Sequence, residues 1–532
     1  MSLPNDGSGR APVAIVASTT SVTSGVEVTK KLVGAAIAFG DLLAGTLGPN
    51  GLDKMMYKTN GQTTVTNDGA KIVSELLVKH PAAKAFVALA QSQENACGDG
   101  VTSCLLIASN LMREAGRLFD KKLHPLVLVD GYQKALEITL KTLQSKIITI
   151  RPDSIDELRK VAKTAMSGTS AEAGGDLMAD LVVTAAQLVA GERDGNLHIR
   201  TEDVRMSKRG SGSIGDSRII AGLIIEKKLE LDRLPKSLDA GKVLVLSCPF
   251  EIESTIRDVE IEVEDPEKWV SFMDAEEEKL QFKAQQIISS GASLVFTAQG
   301  VEARILHTLA DAGIFVLGGL ERAGAEDIAL ATGAQMIDHL DDISQDILGD
   351  FSELKIEILE GAEGRRERIH LLVGLQTGIA TIDVGGGDGV ASEEVIRGLY
   401  DALCSVTSAM ETGEVLTGAG SLHMAASLAI KEAAENHPGR ERLAMEAFAR
   451  ALESIPATLG ENAGVNRLDC LLELRALHRA GNSEAGVLRD GKAGTITEAL
   501  ASAETISHAI EAACETTCGL LRVDQVISAR GD

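Results

Sequence analysis

Apolar side chains recur at every third or fourth position near the start of the chain, which is the spacing of an amphipathic helix. The periodic positions are Leu32, Ala36, Phe39, Leu43 and Leu47. The turn-forming sequence GPNG follows them. Further helices are predicted after Pro81, in PAAKAFVALAQSQENA, and after Gly100, in VTSCLLIASNLMREAGRLF. The N-terminal quarter of the chain is therefore predicted to be mostly helical.

The pattern changes from about Gly241, where short uninterrupted apolar runs indicate buried strands. KVLVLS, SLVFTA and GIFVLGG are such runs, and helical segments at 276–288 and 301–312 lie between them. This alternation predicts an α/β module. Helical periodicity returns after Ser392. The order favours a helical domain formed by both chain ends, with the α/β centre inserted into it.

Composition excludes several classes of protein. At 532 residues the chain is long enough for more than one domain, and its 44% hydrophobic residues favour a folded chain over a disordered one. The formal net charge of -25 argues against nucleic-acid and membrane partners, because it repels phosphates and anionic lipids. Seven cysteines, odd in number and scattered, favour a reducing compartment. We therefore expect a cytoplasmic location.

Candidate chemistry lies between the second and third predicted helices, in GDGVTS at 98–103. The start of a helix presents unpaired amides and a partial positive charge, which suit a phosphate, and Asp99 beside it is suited to a hard cation. The motif by itself is ambiguous, because aspartate is common at helix starts for structural reasons. TLGPNG at 46–51 and VTNDGAK at 65–71 are likewise only turns when each is considered alone.

Together these motifs resemble the nucleotide site of the group II chaperonins, the archaeal thermosome and the subunits of eukaryotic TRiC. The resemblance rests on TLGPNGLDKM, VTNDGAKIV and CGDGVTSCLL, and then on LYDAL, ENAG and LLRVDQVI, in that order over nearly the whole chain. It implies a multi-domain α and α/β fold. The family has a mostly helical equatorial domain, a small α/β intermediate domain and an α/β apical domain with a helical protrusion.

The resemblance also implies domain boundaries. The equatorial domain would comprise 1–143 and 405–532, the intermediate domain 144–212 and 363–404, and the apical domain 213–362, with a lid protrusion at about 252–277. Trp269, Phe272 and Met273 lie in the lid-forming segment. They would either pack the lid helix or contact a client protein or a neighbouring lid.

ATP and Mg²⁺ are the implied cofactors. By resemblance, Asp99 is the magnesium ligand, and Asp68 and Asp401 orient the attacking water, Asp401 from a hinged domain. The implied nucleotide-binding residues are Leu47, Gly48, Pro49, Gly100, Val101, Thr102, Ser103, Ser167, Gly168, Gly418, Ala419 and Gly420.

Five positions near this site depart from the family pattern. They are Asn50 in place of Lys or Arg, Lys71 in place of Thr, Val101 in place of Thr, Thr169 in place of Lys, and Ala419 in place of Gly. Loss of one hydroxyl bond to a phosphate costs about 1.5–3 kcal/mol, or roughly tenfold to a hundredfold in affinity. We therefore expect an altered nucleotide site.

The resemblance implies an ATP-dependent chaperonin subunit that binds unfolded protein and encloses it in a double-ring cavity, with hydrolysis driving closure of a built-in lid. Its partners would be non-native clients and copies of itself or paralogous subunits. The alternative is a divergent scaffold subunit with weak or no hydrolysis that completes or specialises a mixed ring. A stand-alone hydrolase finds no support, since the sequence has neither GxSxG nor HExxH.

Overall fold

The fold is taken from a computed structural model of the chain. It describes residues 21–57, 61, 63–78, 80–248, 266–361, 364–374, 378–387 and 389–528. The chain forms two compact units. One is built from both ends of the chain, up to Glu172 and from Tyr400 onward, and the other comprises Ala173–Leu399.

The helices agree closely with the apolar periodicity. They are α1 Val26–Leu43, α2 Gly69–Glu75, α3 Pro81–Cys97, α4 Val101–Asp120, α5 Pro125–Gln144, α6 Ile155–Met166, α7 Gly175–Val189, α8 Pro266–Ser290, α9 Ala303–Asp311, α10 Arg322–Thr332, α11 Val390–Thr412, α12 Ser421–Glu435, α13 Glu441–Leu452, α14 Ser454–Asn462, α15 Arg467–Arg479 and α16 Ala503–Leu521. The helices predicted after Pro81 and Gly100 are confirmed as α3 and α4. The first predicted helix ends earlier than expected, because a 3₁₀ turn follows Leu43, so Leu47 is not helical.

The strands of the first unit are all short, whereas the second unit contains short strands and also longer ones. They are β1 Ser21–Ser24, β2 Lys54–Tyr57, β3 Thr63–Thr66, β4 Ile148–Thr149, β5 Gly191–Arg193, β6 Asn196–His198, β7 Val204–Lys208, β8 Arg218–Ile220, β9 Gly222–Glu226, β10 Ser237–Leu246, β11 Leu294–Thr297, β12 Phe315–Leu317, β13 Met336–Ile337, β14 Gly349–Gly361, β15 Gly364–Leu372, β16 Ala380–Val384, β17 Glu414–Thr417, β18 Ala485–Val487, β19 Ala493–Thr495, β20 Leu500–Ser502 and β21 Gln525–Ser528. The three predicted apolar runs are confirmed as β10, β11 and β12.

The core of the first unit is a helical bundle around α4. This helix packs against α1, α3, α13 and α16, and its Leu105, Ile107 and Leu111 are fully buried. A helix that is apolar on most of its circumference is stable only when other helices surround it. The N-terminus of α4 is therefore fixed in place by packing along the length of the helix.

The second unit contains the α/β module. Its seven-stranded sheet has the order β12-β11-β10-β14-β15-β9, with β13 also paired to β10. Val243 and Val245 of β10 enter one hydrophobic cluster, and Leu244 and Leu246 enter another. Because alternate residues of a strand point to opposite faces, both faces of the sheet are covered, which explains the continuous apolar runs. The predicted multi-domain α and α/β fold class is confirmed.

A buried ion pair joins this sheet to the three-stranded sheet β7-β16-β8 of the same unit. Arg368 of β15 is fully buried, and its Nη2 donates to Asp383 Oδ1 of β16 at 2.6 Å. The same nitrogen donates to Ser207 Oγ at 2.7 Å, and Nε donates to Glu226 Oε1 at 3.0 Å. The guanidinium thus links strands of both sheets, and its loss would leave the buried Asp383 carboxylate with Arg218, whose Nε donates to Oδ2 at 3.2 Å, as its remaining described cationic partner.

Part of the domain prediction lies outside the described residues. Most of the protrusion expected at about 252–277 is not described, and neither are the side chains of Trp269, Phe272 and Met273, whose backbone belongs to α8. The boundaries between equatorial, intermediate and apical segments stay a prediction. Within the described ranges, no helix is long and apolar enough to span a membrane.

We expect Arg368→Met to destabilise the second unit by about 1–3 kcal/mol, because the buried Asp383 carboxylate loses its hydrogen bonds to Arg368 and keeps only the contact with Arg218 among its described ion pairs. Denaturant titration, monitored by hydrogen exchange in β15 and β16, would measure the decrease in the free energy of unfolding. Arg322→Met is the matched control, since Arg322 is 73% exposed and pairs only with Glu326 on its own helix among the described contacts. Equal stability of the two variants would contradict the prediction.

Candidate nucleotide site

Two glycines hold Asp99 between α3 and α4. Gly98 ends α3 with φ 61° and Gly100 precedes α4 with φ 82°, conformations that cost a side-chain-bearing residue free energy. A Cβ on Gly98 would also lie 2.4 Å from Cys404 Sγ of α11. The chain can therefore reverse between two packed helices only with these glycines, and the reversal leaves Asp99 at the start of α4.

The Asp99 carboxylate has a fixed orientation. Ser405 Oγ donates to Oδ2 at 2.7 Å, and the amide of Gly100 donates to Oδ1 at 2.5 Å. Burial raises the pKa of Asp99 and the neighbouring charge of Asp68 adds to the rise, while these two hydrogen bonds oppose it. Apart from burial, the groups that shift this pKa are thus the Asp68 carboxylate, the Ser405 hydroxyl and the Gly100 amide. A cation at this position would stabilise the charged form.

The start of α2 lies against the start of α4. Asp68 caps α2, with Oδ1 accepting from the amide of Ala70 at 2.8 Å and Oδ2 from that of Lys71 at 3.2 Å. A Cβ on the next residue, Gly69, would lie 2.5 Å from Thr102 Oγ1 and 3.2 Å from Thr102 N. Asp68 and Asp99 are therefore brought to one place, although no short-range sequence pattern connects them.

The first turn of α4 presents amides more than side chains. Gly100 offers no side-chain cap to the amides at 101–103, which lie too early in the helix to have intrahelical acceptors. Val101 is only 4% exposed and belongs to the hydrophobic core, so it can contribute only its backbone. Thr102 and Ser103 are partly buried. The arrangement suits an anionic ligand.

The loops containing Gly48 and Gly168 touch. A Cβ on Gly168 would lie 2.3 Å from Gly48 O and 3.5 Å from Pro49 Cα. Ser167 ends α6, directly before this contact. The side-chain amide of Asn67 donates to Gly168 O, so the segment that carries Asp68 joins the same group.

Helix α14 supports two of the predicted loops. Its Asn462 Nδ2 donates to Leu47 O at 2.9 Å, and its Leu459 lies against Gly48. Its Pro456 lies against Gly420, where an added Cβ would be 2.7 Å away. The loops at 47–49 and 418–420 thus rest on one helix.

Ala419 adopts a left-handed backbone conformation with φ 52°. Its carbonyl accepts a 2.9 Å hydrogen bond from the amide of Val487, which holds the loop in this conformation. At Gly418, by contrast, φ is not in the left-handed range, and the nearest neighbour of an added Cβ would be Ala499 O at 3.5 Å. The contact with Val487 thus holds Ala419 in a strained conformation. At position 418, neither φ nor crowding requires a glycine.

Asp401 lies on α11, one helical turn before Ser405. The pKa of Cys404 is raised to about 12, chiefly by burial, and the charges of both Asp401 and Asp99 contribute to the rise. The carboxylates of Asp401 and Asp99 therefore both lie near enough to the Cys404 thiol to raise its pKa. Of the sequence-predicted residues, the lid set on α8 belongs to the other unit.

Several polar side chains that hold the site have little or no signal in the sequence. Gln93 is fully buried, its Nε2 donates to Asp99 O at 2.8 Å, and its Oε1 pairs with His508 Nδ1 at 2.7 Å. A polar residue on the apolar face of α3 was the available signal. Ser405 and Asn462 had no comparable signal, since their partners are distant in the sequence.

Magnesium fits this site only if phosphate and water supply most of its ligands. Within the described part of the chain there is no group of three or more His, Cys, Asp or Glu that could hold a metal ion. Mg²⁺ is commonly bound by one or two carboxylates plus substrate phosphates and water, and an oriented Asp99 beside a helix start with uncapped amides is compatible with that requirement.

The chain is similar to proteins of one known family over nearly its whole length. The model of the TCP-1/cpn60 chaperonin family matches residues 39–531. The chain is 36% identical to thermosome subunit beta of Archaeoglobus fulgidus over 524 residues, covering 98% of this chain and 95% of the relative. It is 34% identical to the thermosome subunit of Methanopyrus kandleri, covering 95% and 93%, and 32% identical to thermosome subunit alpha of Thermoplasma acidophilum, covering 98% and 95%. The predicted resemblance is confirmed, and the chain belongs to the TCP-1/cpn60 chaperonin family as a divergent group II member.

Proposed function

We propose that this chain binds ATP with Mg²⁺ and hydrolyses it, and that hydrolysis drives the closing of a built-in lid around an unfolded protein held in a double ring. The observation that carries the proposal is the oriented Asp99 carboxylate at the uncapped start of α4, with Asp68 beside it. That combination provides for a cation and a polyphosphate in one place.

The phosphates would be bound mainly by backbone groups. The amides at 101–103 and the hydroxyls of Thr102 and Ser103 would donate to phosphate oxygens. Neither φ nor crowding by the described residues requires a glycine at position 418. A ligand that lies close to the backbone would explain why the position has no side chain. The loops at 47–49 and 167–168 would enclose the nucleotide from another side.

The three aspartates would bind the metal ion and orient the attacking water. Asp99 would hold Mg²⁺, which neutralises phosphate charge when bound. Asp68 and Asp401 would orient a water whose oxygen bonds to the γ-phosphorus while the bond from that phosphorus to the β–γ bridging oxygen breaks. A carboxylate that accepts the water's proton completes the hydrolysis to ADP and phosphate.

A scaffold role with weak or no hydrolysis remains the second candidate function, and two observations favour it. The buried Val101 has no hydroxyl to offer a phosphate, and Ala419 places a methyl group and backbone strain in the glycine loop. Neither change removes a carboxylate. We therefore infer slowed rather than abolished ATP turnover.

The proposed partners follow from the family. The curated relatives are named as subunits, which supports assembly of this chain with copies of itself or with paralogous subunits. Non-native proteins are the proposed clients. Electron microscopy of the chain expressed alone would show whether it forms closed rings by itself.

Asp401→Ala should lower magnesium-dependent ATP turnover by roughly a hundredfold or more, because loss of a group that positions or deprotonates water typically costs that much. ATP affinity should change by less than about threefold, since the proposed role of Asp401 lies in the chemical step. Asp130→Ala, an exposed carboxylate on α5, is the control. Wild-type turnover no higher than that of Asp401→Ala would favour the scaffold role.

Ala419→Gly should stabilise the first unit by up to about 1 kcal/mol by relieving the left-handed strain, and should tighten ATP binding by removing the methyl group. Thermal unfolding and calorimetric titration with ATP would measure the two effects. Lys122→Gly is the control, because Lys122 has φ 60° beyond the far end of α4 and should affect stability only. Weaker ATP binding by Ala419→Gly would contradict the proposed place of the loop.

A further inference from the structure

We propose that Arg489 is a positioning residue of the nucleotide site and acts through Glu172 on the loop that contains Gly168. This inference rests on the proposed function, since it assigns a role within the same site.

Glu172 connects a loop amide to a cation. Its Oε2 accepts the amide hydrogen of Gly168 at 2.8 Å, and its Oε1 pairs with Arg489 Nη2 at 2.6 Å. One carboxylate therefore uses one oxygen to fix the loop and the other to bind a guanidinium. Since Gly168 lies against Gly48, the contact orients both loops.

Arg489 comes from the turn between β18 and β19, and this hairpin is itself attached to the other nucleotide loops. The carbonyl of Arg489 accepts from Asn50 Nδ2 at 2.8 Å, next to the segment 47–49. The amide of Val487 donates to Ala419 O at 2.9 Å. The hairpin thus contacts the loops at 47–50, 167–172 and 418–420.

Charge gives Arg489 a role beyond packing. Without a partner, Glu172 would place a negative charge on a loop beside the proposed polyphosphate and would weaken its binding. Arg489 cancels that charge while leaving the carboxylate in its contact with the Gly168 amide. Glu172 is 27% exposed and Arg489 70% exposed, so the effect should weaken as salt concentration rises.

A second ion pair on the hairpin lacks this arrangement. Lys492 is 74% exposed and pairs with Asp490, two residues away in the same turn. It provides a matched control, because its removal eliminates a cation from the same hairpin without touching the loop at 167–172.

The test combines calorimetric ATP binding by the full chain with hydrogen exchange of the segment 166–172 measured without nucleotide. Arg489→Gln should raise the Kd for ATP by about threefold to tenfold at low salt and less at high salt, and should speed exchange in that segment. Arg489→Lys should recover part of the loss. Lys492→Gln should match wild type in both measurements.

The double-mutant cycle tests the route through Glu172. Glu172→Gln keeps an acceptor for the Gly168 amide and removes the charge, so adding Arg489→Gln to it should change the Kd by less than about twofold. A full Arg489→Gln effect in that background would overturn the inference, because Arg489 would then act directly on the nucleotide. An unchanged Kd and unchanged exchange in Arg489→Gln would overturn it as well.

Failure of the proposed function gives a different result. If wild type shows no ATP binding, the function falls, whereas the exchange rates of the segment 166–172 in the absence of nucleotide still decide whether Arg489 orders the loop. Faster exchange in Arg489→Gln alone, with Lys492→Gln unchanged, would support the positioning role.

Discussion

The constraint on which the site depends is the reversal of the chain at Gly98 and Gly100, between α3 and the buried helix α4. Both glycines adopt left-handed conformations, and the packing of Cys404 against Gly98 leaves no room for a side chain there. The carboxylate between them is forced to the start of a helix whose first amides lack a side-chain cap. Packing energy from the helical core thus maintains an arrangement of charge that would be unfavourable in isolation.

The local parts of this arrangement could be predicted from sequence, and the distant parts could not. Apolar periodicity and glycine positions define α3, α4 and the reversal, because the forces involved act within a few residues. Ser405, which orients Asp99, is 306 residues away along the chain, and Asn462, which supports Leu47, is 415 residues from it. Only the packing of helices against one another determines which of many serines and asparagines face the site.

The same limit applies to the α/β unit. Continuous apolar runs predicted β10, β11 and β12 correctly, since strands covered on both faces need no polar alternation. Arg368 gave no signal, because an arginine in a strand is ordinarily expected to be exposed. Its burial became visible only when β15 and β16 were seen to bring Asp383 to the guanidinium. The burial of a charged side chain is thus difficult to predict from the sequence pattern.

Val101 shows how structure changes the meaning of a substitution. From sequence it is a lost hydroxyl at a phosphate site, but its side chain belongs to the core, where a valine gains hydrophobic burial. The backbone amide at that position is unaffected by the exchange. Ala419 differs, because its conformation is strained and its carbonyl is tied to Val487. If this chain binds nucleotide weakly, the glycine loop is therefore a better explanation than the start of α4.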